Sequence, residues 1–178
     1  LRTSPFSWIP TTSSKEFPVF YIMGLIRYTT SVDSDVNYDP RKFADEVAIY
    51  LADPEGWAQL HTFVVGKGKT IRLSSPATIK KTCGLPDSLS CATLGGNEIW
   101  LNADRWIHGS APSKLPLERY RQYMVSHEMG HSLGYDHVQC TSGPAPVMMQ
   151  QTLGIGKCSP NTAVYLSQLP SKSSHRSQ

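Results

Sequence analysis

Apolar and polar positions along the chain fall into runs with different periods, and each run predicts one element. Residues 19–28, dense in β-branched and aromatic side chains, predict a first, buried strand in which Gly24 permits a bulge or a close contact. Asp39-Pro40 then supplies an N-cap and a proline for the first helical position, and Phe43, Val47, Ile49, Tyr50 and Leu51 recur at roughly helical spacing. This is a backing helix that stops at Asp53-Pro54. Residues 62–65 and 70–73 read as strands around Gly66-Lys67-Gly68-Lys69, which predicts a hairpin, and Ser75-Pro76 opens a short helix toward Cys83. Residues 98–101 predict a further strand. At a sheet edge its free backbone groups would accept an extended peptide, whereas as an internal strand it has no such role. Leu117, Tyr120, Tyr123, Met124 and Val125 mark the buried side of a helix starting near Pro116.

Strands interleaved with helices in this way give an α+β chain. Its 178 residues and 39% apolar content suit a single domain over residues 1–178 with one sizeable core. The net charge of +3 is small, and the basic pair Lys80-Lys81 reads as a solvated helix face, so a nucleic-acid partner is not expected. The apolar run over 17–26 is too short to span a bilayer. A start at Leu1 instead of Met suggests a mature or trimmed chain, and the polar, serine-rich residues 171–178 read as a disordered tail. Cys83, Cys91, Cys140 and Cys158 are separated by 8 and 18 residues within two local sets. Short loops close easily, so the pairs Cys83 to Cys91 and Cys140 to Cys158 are favoured over the other two connectivities or a second metal site. Disulfides point to a secreted, extracellular protein.

The candidate chemistry lies in residues 127–137, which spell HExxHxxGxxH. His127 and His131, four positions apart on a helix, project from one face and can grip one ion. A catalytic zinc takes three protein ligands and keeps one position open, so a third ligand must return from beyond the helix. Gly134 can adopt a left-handed conformation and turn the chain so that His137 reaches the metal. Glu128, beside the first ligand, is placed to take a proton from the water that the metal activates. A purely structural zinc site would close with a fourth Cys or His and would not need that carboxylate.

HExxHxxGxxH followed by a methionine turn is the hallmark of metzincin metallopeptidases, and Pro146-Val147-Met148-Met149-Gln150 falls where such a turn belongs. With Asn102-Ala103-Asp104-Arg105-Trp106 and Tyr120-Arg121-Gln122-Tyr123, the chain is similar to secreted, single-domain bacterial metzincin-like proteins of undefined function. The resemblance covers about residues 17–160. It implies a zincin-like fold: a twisted, mainly mixed sheet, a backing helix and an active-site helix in an upper subdomain (17–137), and a small lower subdomain (138–170) carrying the turn. Sequence does not separate Met148 from Met149 as the turn methionine. Several metzincins carry a tyrosine two residues after that methionine; here Gln150 or Gln151 stands there, so no tyrosine ligand is expected. Asp136 is left as an outer or surface residue.

The expected function is therefore zinc-dependent hydrolysis of internal peptide bonds by a monomer, with Glu128 as general base and a peptide or protein as partner. The alternatives are a zinc hydrolase acting on a non-protein amide or a cell-wall peptide, and a secreted zinc-containing binding protein without turnover. Trp57, Trp100, Trp106, His61, His108 and His175 receive no site role, since tryptophan is more often core packing and a lone histidine more often a surface residue. The segment between Cys140 and Cys158 is expected to form the pocket floor, and residues 1–16 hold no obvious zinc-blocking motif.

Overall fold

The computed structural model describes residues 24–172. The N-terminal part of the strand predicted over 19–28, residues 1–16, His175 and the tail from 173 onward lie outside the described residues. In chain order the elements are β1 (Gly24–Val32), α1 (Pro40–Leu51), β2 (His61–Val65), β3 (Lys69–Ser74), α2 (Pro76–Cys83), β4 (Cys91–Ala92), β5 (Glu98–Asn102), α3 (Ala103–His108) and α4 (Leu117–Ser132). The five strands form one mixed sheet in the order β2-β1-β3-β5-β4, parallel except for β4.

The hairpin predicted around residues 66–69 does not form. β2 and β3 both run parallel to β1 and lie on opposite sides of it: His61–Val65 pairs with the first half of β1, and β3 pairs with the second half from Tyr28 onward. The chain hops over β1 between them. Gly66 N–H donates to Tyr28 O at 2.8 Å, and Gly68 lies so close to the Arg27 carbonyl that any Cβ would overlap it. The glycines are there for a close crossing, a use that leaves the same sequence signal as a tight turn.

β1 is half-buried: Tyr28 faces the core while Leu25 is 55% exposed. Gly24 begins the strand at φ 148°, with open space where a side chain would sit, so no close contact requires it. β5 is internal, between β3 and β4, and the free edge on that side is the two-residue β4. Cys83–Cys91 ties β4 to the end of α2, and Cys140–Cys158 closes the second predicted pair.

Asp39 caps α1 by accepting from the amides of Arg41 and Lys42, with Pro40 at the first position. Phe43, Val47, Tyr50 and Leu51 are buried, but Ile49, two residues and therefore about 200° around from Val47, is 68% exposed. On α4 the predicted Tyr120, Tyr123, Met124 and Val125 are buried, whereas Leu117 in its first turn is 39% exposed. These residues, Ile71 and Leu73 of β3, Ile99 and Leu101 of β5, and the buried Trp57 and Trp106 make one core.

Polar bonds lock α4 into that core. Trp57 Nε1 donates to Ser126 O at 2.7 Å and Arg121 Nε to Trp106 O at 2.6 Å. Arg121 also pairs with Glu46 of α1 at 3.1 Å, both side chains less than a fifth exposed, and Tyr38 donates to the same carboxylate at 2.7 Å. A bracket of this kind is costly to break from one side, because a buried charge is left unpaired. Beyond α4 the described residues form short 3₁₀ turns and an isolated bridge between Pro144 and Ser159, with a small separate cluster of Ala145, Ile155 and Cys158. No helix of the described residues is long and apolar enough to cross a membrane.

Gly68→Ala is expected to destabilise the fold by about 2 kcal/mol or more, a fall in Tm of roughly 4–8 °C by thermal melt. An unchanged Tm would mean that the crossing is looser than the packing indicates.

Candidate metal centre

From Gln122 to Gly130 every residue of α4 is buried, so the helix enters the site as a fixed element. His127 and His131 share one face, their ring centroids 4.7 Å apart. The helix ends at Ser132, with Leu133 as its C-cap. Gly134 follows with φ 97°, and Tyr135 N–H turns back to donate to Gly130 O at 3.0 Å. The Tyr135 ring stacks on Trp57 at 5.3 Å, which anchors the returning loop. His137 then arrives with its Nε2 3.3 Å from that of His127 and 3.0 Å from that of His131.

The tautomers follow from what the other nitrogens meet. His127 Nδ1 lies 2.8 Å from Val147 O, and His131 Nδ1 lies 2.8 Å from Tyr135 O. A carbonyl only accepts, so both Nδ1 atoms carry the proton and both Nε2 lone pairs face the same point as His137. At most one proton, from His137, could lie among the three nitrogens, which a cation between them satisfies better. The ligating atoms all fall within 4.8 Å of one another. Burial lowers the pKa of all three imidazoles, that of His127 to about 3, which keeps them in the neutral form a metal requires. The three histidines could thus hold a metal ion, and with all four cysteines in disulfides the site offers nitrogen and not sulfur.

Glu128 is 5% exposed, and its Oε2 is buried without a hydrogen-bond partner. Burial raises the carboxyl from 4.5 to about 8. An unpaired buried carboxyl beside three converging imidazoles suits a site built for a cation and a proton transfer better than a structural one. Asp136 is exposed and, among the described residues, accepts only from the His137 backbone N–H, at 2.7 Å.

The structure separates the two methionines. A turn over 146–149, closed by Met149 N–H to Pro146 O at 2.9 Å, carries Val147 and Met148 under α4. Met148 is fully buried, and its sulfur lies where a side chain on Gly130 would otherwise be. Met149 packs instead on the small cluster with Ala145 and Ile155. His61 and His108 lie away from the site, His108 exposed beside Asp104 at 3.8 Å. Trp57 and Trp106 are core, as expected of tryptophans, and Trp100 is partly exposed on β5.

A cavity of about 240 Å³ opens on Glu128 and the histidines, walled chiefly by Leu85, Leu89, Ala92, Tyr123 and Met124. Only Gln150 and Thr152 of this lining come from the segment between Cys140 and Cys158 that was expected to form the floor; the rest is His137, side chains of α4 and the stretch 85–92 beside the Cys83–Cys91 disulfide. Sequence reading also missed the two orienting carbonyls and Tyr123, whose hydroxyl lies 3.4 Å from His127 Nδ1. Carbonyls leave no trace in side-chain identity, but Tyr123 stands four residues before His127 and was findable from helical spacing.

Two outcomes are expected. In chelator-treated protein, folding raises the Glu128 pKa from 4.5 to about 8, so its stabilising contribution is complete below the lower value and is lost as pH rises toward the higher. Glu128→Gln, neutral at every pH, should match wild type in Tm near pH 4.5 and exceed it increasingly up to about pH 8, with no further gain above. Equal curves throughout would contradict a buried, unpaired carboxyl. Gly134→Ala, strained at this φ, should shift Tyr135 O and His137 and weaken metal binding about 10–100-fold in a chelator competition.

No curated protein and no solved structure matches the chain. A family description, protein of unknown function (DUF3152), matches residues 11–165, a span that holds the whole sheet, α4, the three histidines and the 146–149 turn. The chain therefore belongs to the DUF3152 family.

Proposed function

We propose that the protein is a zinc-dependent endopeptidase, with His127, His131 and His137 as ligands and Glu128 as general base. The observation that carries this reading is the convergence of three Nε2 atoms next to an unpartnered, buried carboxyl in the lining of one mainly apolar cavity. Zinc, when bound, supplies Lewis acidity that brings the pKa of water down to about 7 and polarises a carbonyl. Glu128 takes the proton of the attacking water and passes it to the departing amine. Its oxygens are free for that work because no side chain or backbone group of the described residues holds Oε2.

The same wall supports a peptide as substrate. β4 is the sheet edge on the side of the cavity, and Leu89, Ser90, Cys91 and Ala92 line that cavity. An extended chain laid along this edge would pair with its free backbone groups. The uncharged wall of Leu85, Leu89, Ala92 and Met124 suits an apolar side chain next to the scissile bond. The metzincin resemblance and the two disulfides agree with a secreted enzyme.

The test is cleavage of a randomised peptide library by zinc-loaded wild type and Glu128→Gln, with zinc content measured on both. Wild type should cut next to apolar residues, and Glu128→Gln should keep its zinc while losing about 10²–10⁴ in kcat/KM. Undiminished cleavage by Glu128→Gln, or cleavage that survives chelation, would refute the reading.

A further inference from the structure

Gln150 is the middle residue of a tight turn and lines two hollows that share His137. One hollow is the cavity that holds the histidines and Glu128; the other, of about 360 Å³, is formed by residues that include Val138, Gln139, Met149 and Leu153. Both are lined by Gln150 and His137. A chain crossing the metal centre from one hollow to the other passes Gln150.

The turn is built. Gln150 has φ −71° and ψ 69°, the geometry of an inverse γ-turn, and Gln151 N–H closes it onto Met149 O at 2.8 Å. The Tyr123 hydroxyl reinforces the same two groups, donating to Met149 O at 2.8 Å and accepting from Gln151 N–H at 2.8 Å. Tyr123 is 2% exposed and lies one helical turn before His127. The segment that displays Gln150 is therefore fastened to the helix that presents the histidines.

The other polar side chains of the first hollow that do not titrate near neutral pH are already engaged. Ser90 Oγ accepts from the Asn102 backbone N–H at 2.9 Å, Thr152 Oγ1 bonds the Tyr120 hydroxyl at 2.8 Å, and the Tyr123 hydroxyl bonds as above. The Gln150 amide has no hydrogen-bond partner among the described residues. Its neighbour Gln151 is the opposite case: fully buried, with its amide bonded to Pro146 O and Asn161 O and accepting from Asn161 N–H. Of two adjacent glutamines, one holds the lower segment together and the other is presented to the cleft.

We propose that Gln150 is a substrate-holding residue that grips the main chain of an extended peptide where it passes between the two hollows. A primary amide offers one acceptor and two donors, which matches the C=O and N–H of a peptide group. The substrate class is then a chain with residues on both sides of the cleaved bond. This rests on the endopeptidase reading above.

The experiment measures kcat and KM of the zinc-loaded full chain on internally quenched peptides of eight randomised residues, comparing wild type, Gln150→Ala, Tyr123→Phe and the double variant, with zinc content and Tm for each. Loss of a neutral hydrogen bond made equally in ground and transition states should raise KM about fivefold to tenfold in Gln150→Ala, with kcat within about twofold and zinc unchanged. Tyr123→Phe, which frees the turn, should raise KM in the same direction, and the double variant should be no worse than the poorer single one. An unchanged KM in Gln150→Ala with an active wild type would overturn the proposal alone, as would loss of zinc in that variant, which would make Gln150 structural. If the wild type cleaves nothing, the endopeptidase reading falls and this proposal falls with it.

Discussion

The site depends on the contact between Gly130 and Met148. Glycine in the middle of a helix costs about 0.5–1 kcal/mol relative to alanine, yet Gly130 sits in α4 between the two helical histidines, and the Met148 sulfur occupies the space a side chain would need. That missing side chain lets the 146–149 turn come up against the helix. Three consequences follow from the approach: Val147 O reaches His127 Nδ1, Met149 O reaches the Tyr123 hydroxyl, and Gln150 is brought to the rim of the cleft. A turn held one side chain's thickness away would lose all three together.

The second helical histidine is oriented by an equivalent device. Gly134 turns the chain, Tyr135 stacks on Trp57, and the Tyr135 carbonyl fixes His131 while the same loop delivers His137. Both helical imidazoles are thus set by carbonyls from segments that follow α4, and the helix itself is held from behind by Trp57, Arg121 and Glu46. Fixed ligands and fixed tautomers keep the ordering cost of assembling a metal site low when the ion binds.

The histidine spacing made the site legible before any coordinates, because helical periodicity and one glycine suffice to bring His127, His131 and His137 together. The disulfide pairs were legible for a similar reason, since short loops close most readily. The sheet was less so. Its strands were locatable from their β-branched runs, but Gly66 and Gly68 carry the same signal for a crossing over β1 as for a hairpin, and pairing between distant strands leaves no mark in local composition. The edge position of β4 was hidden by its length of two residues. Ile49 shows the limit of counting apolar residues without tracking their angle around the helix. What governs the site most finely, the carbonyls of Val147 and Tyr135 and the γ-turn at Gln150, is backbone geometry and has no side-chain signature at all.

The central claim is that three imidazole nitrogens, and no sulfur, bind one metal ion beside Glu128. Zinc K-edge absorption spectroscopy on the stoichiometrically loaded protein tests it most directly. The account predicts imidazole scattering from three histidines with Zn–N distances of about 2.0–2.1 Å, and no scatterer near 2.3 Å where a thiolate would stand. A sulfur shell, or a spectrum without imidazole scattering, would contradict it.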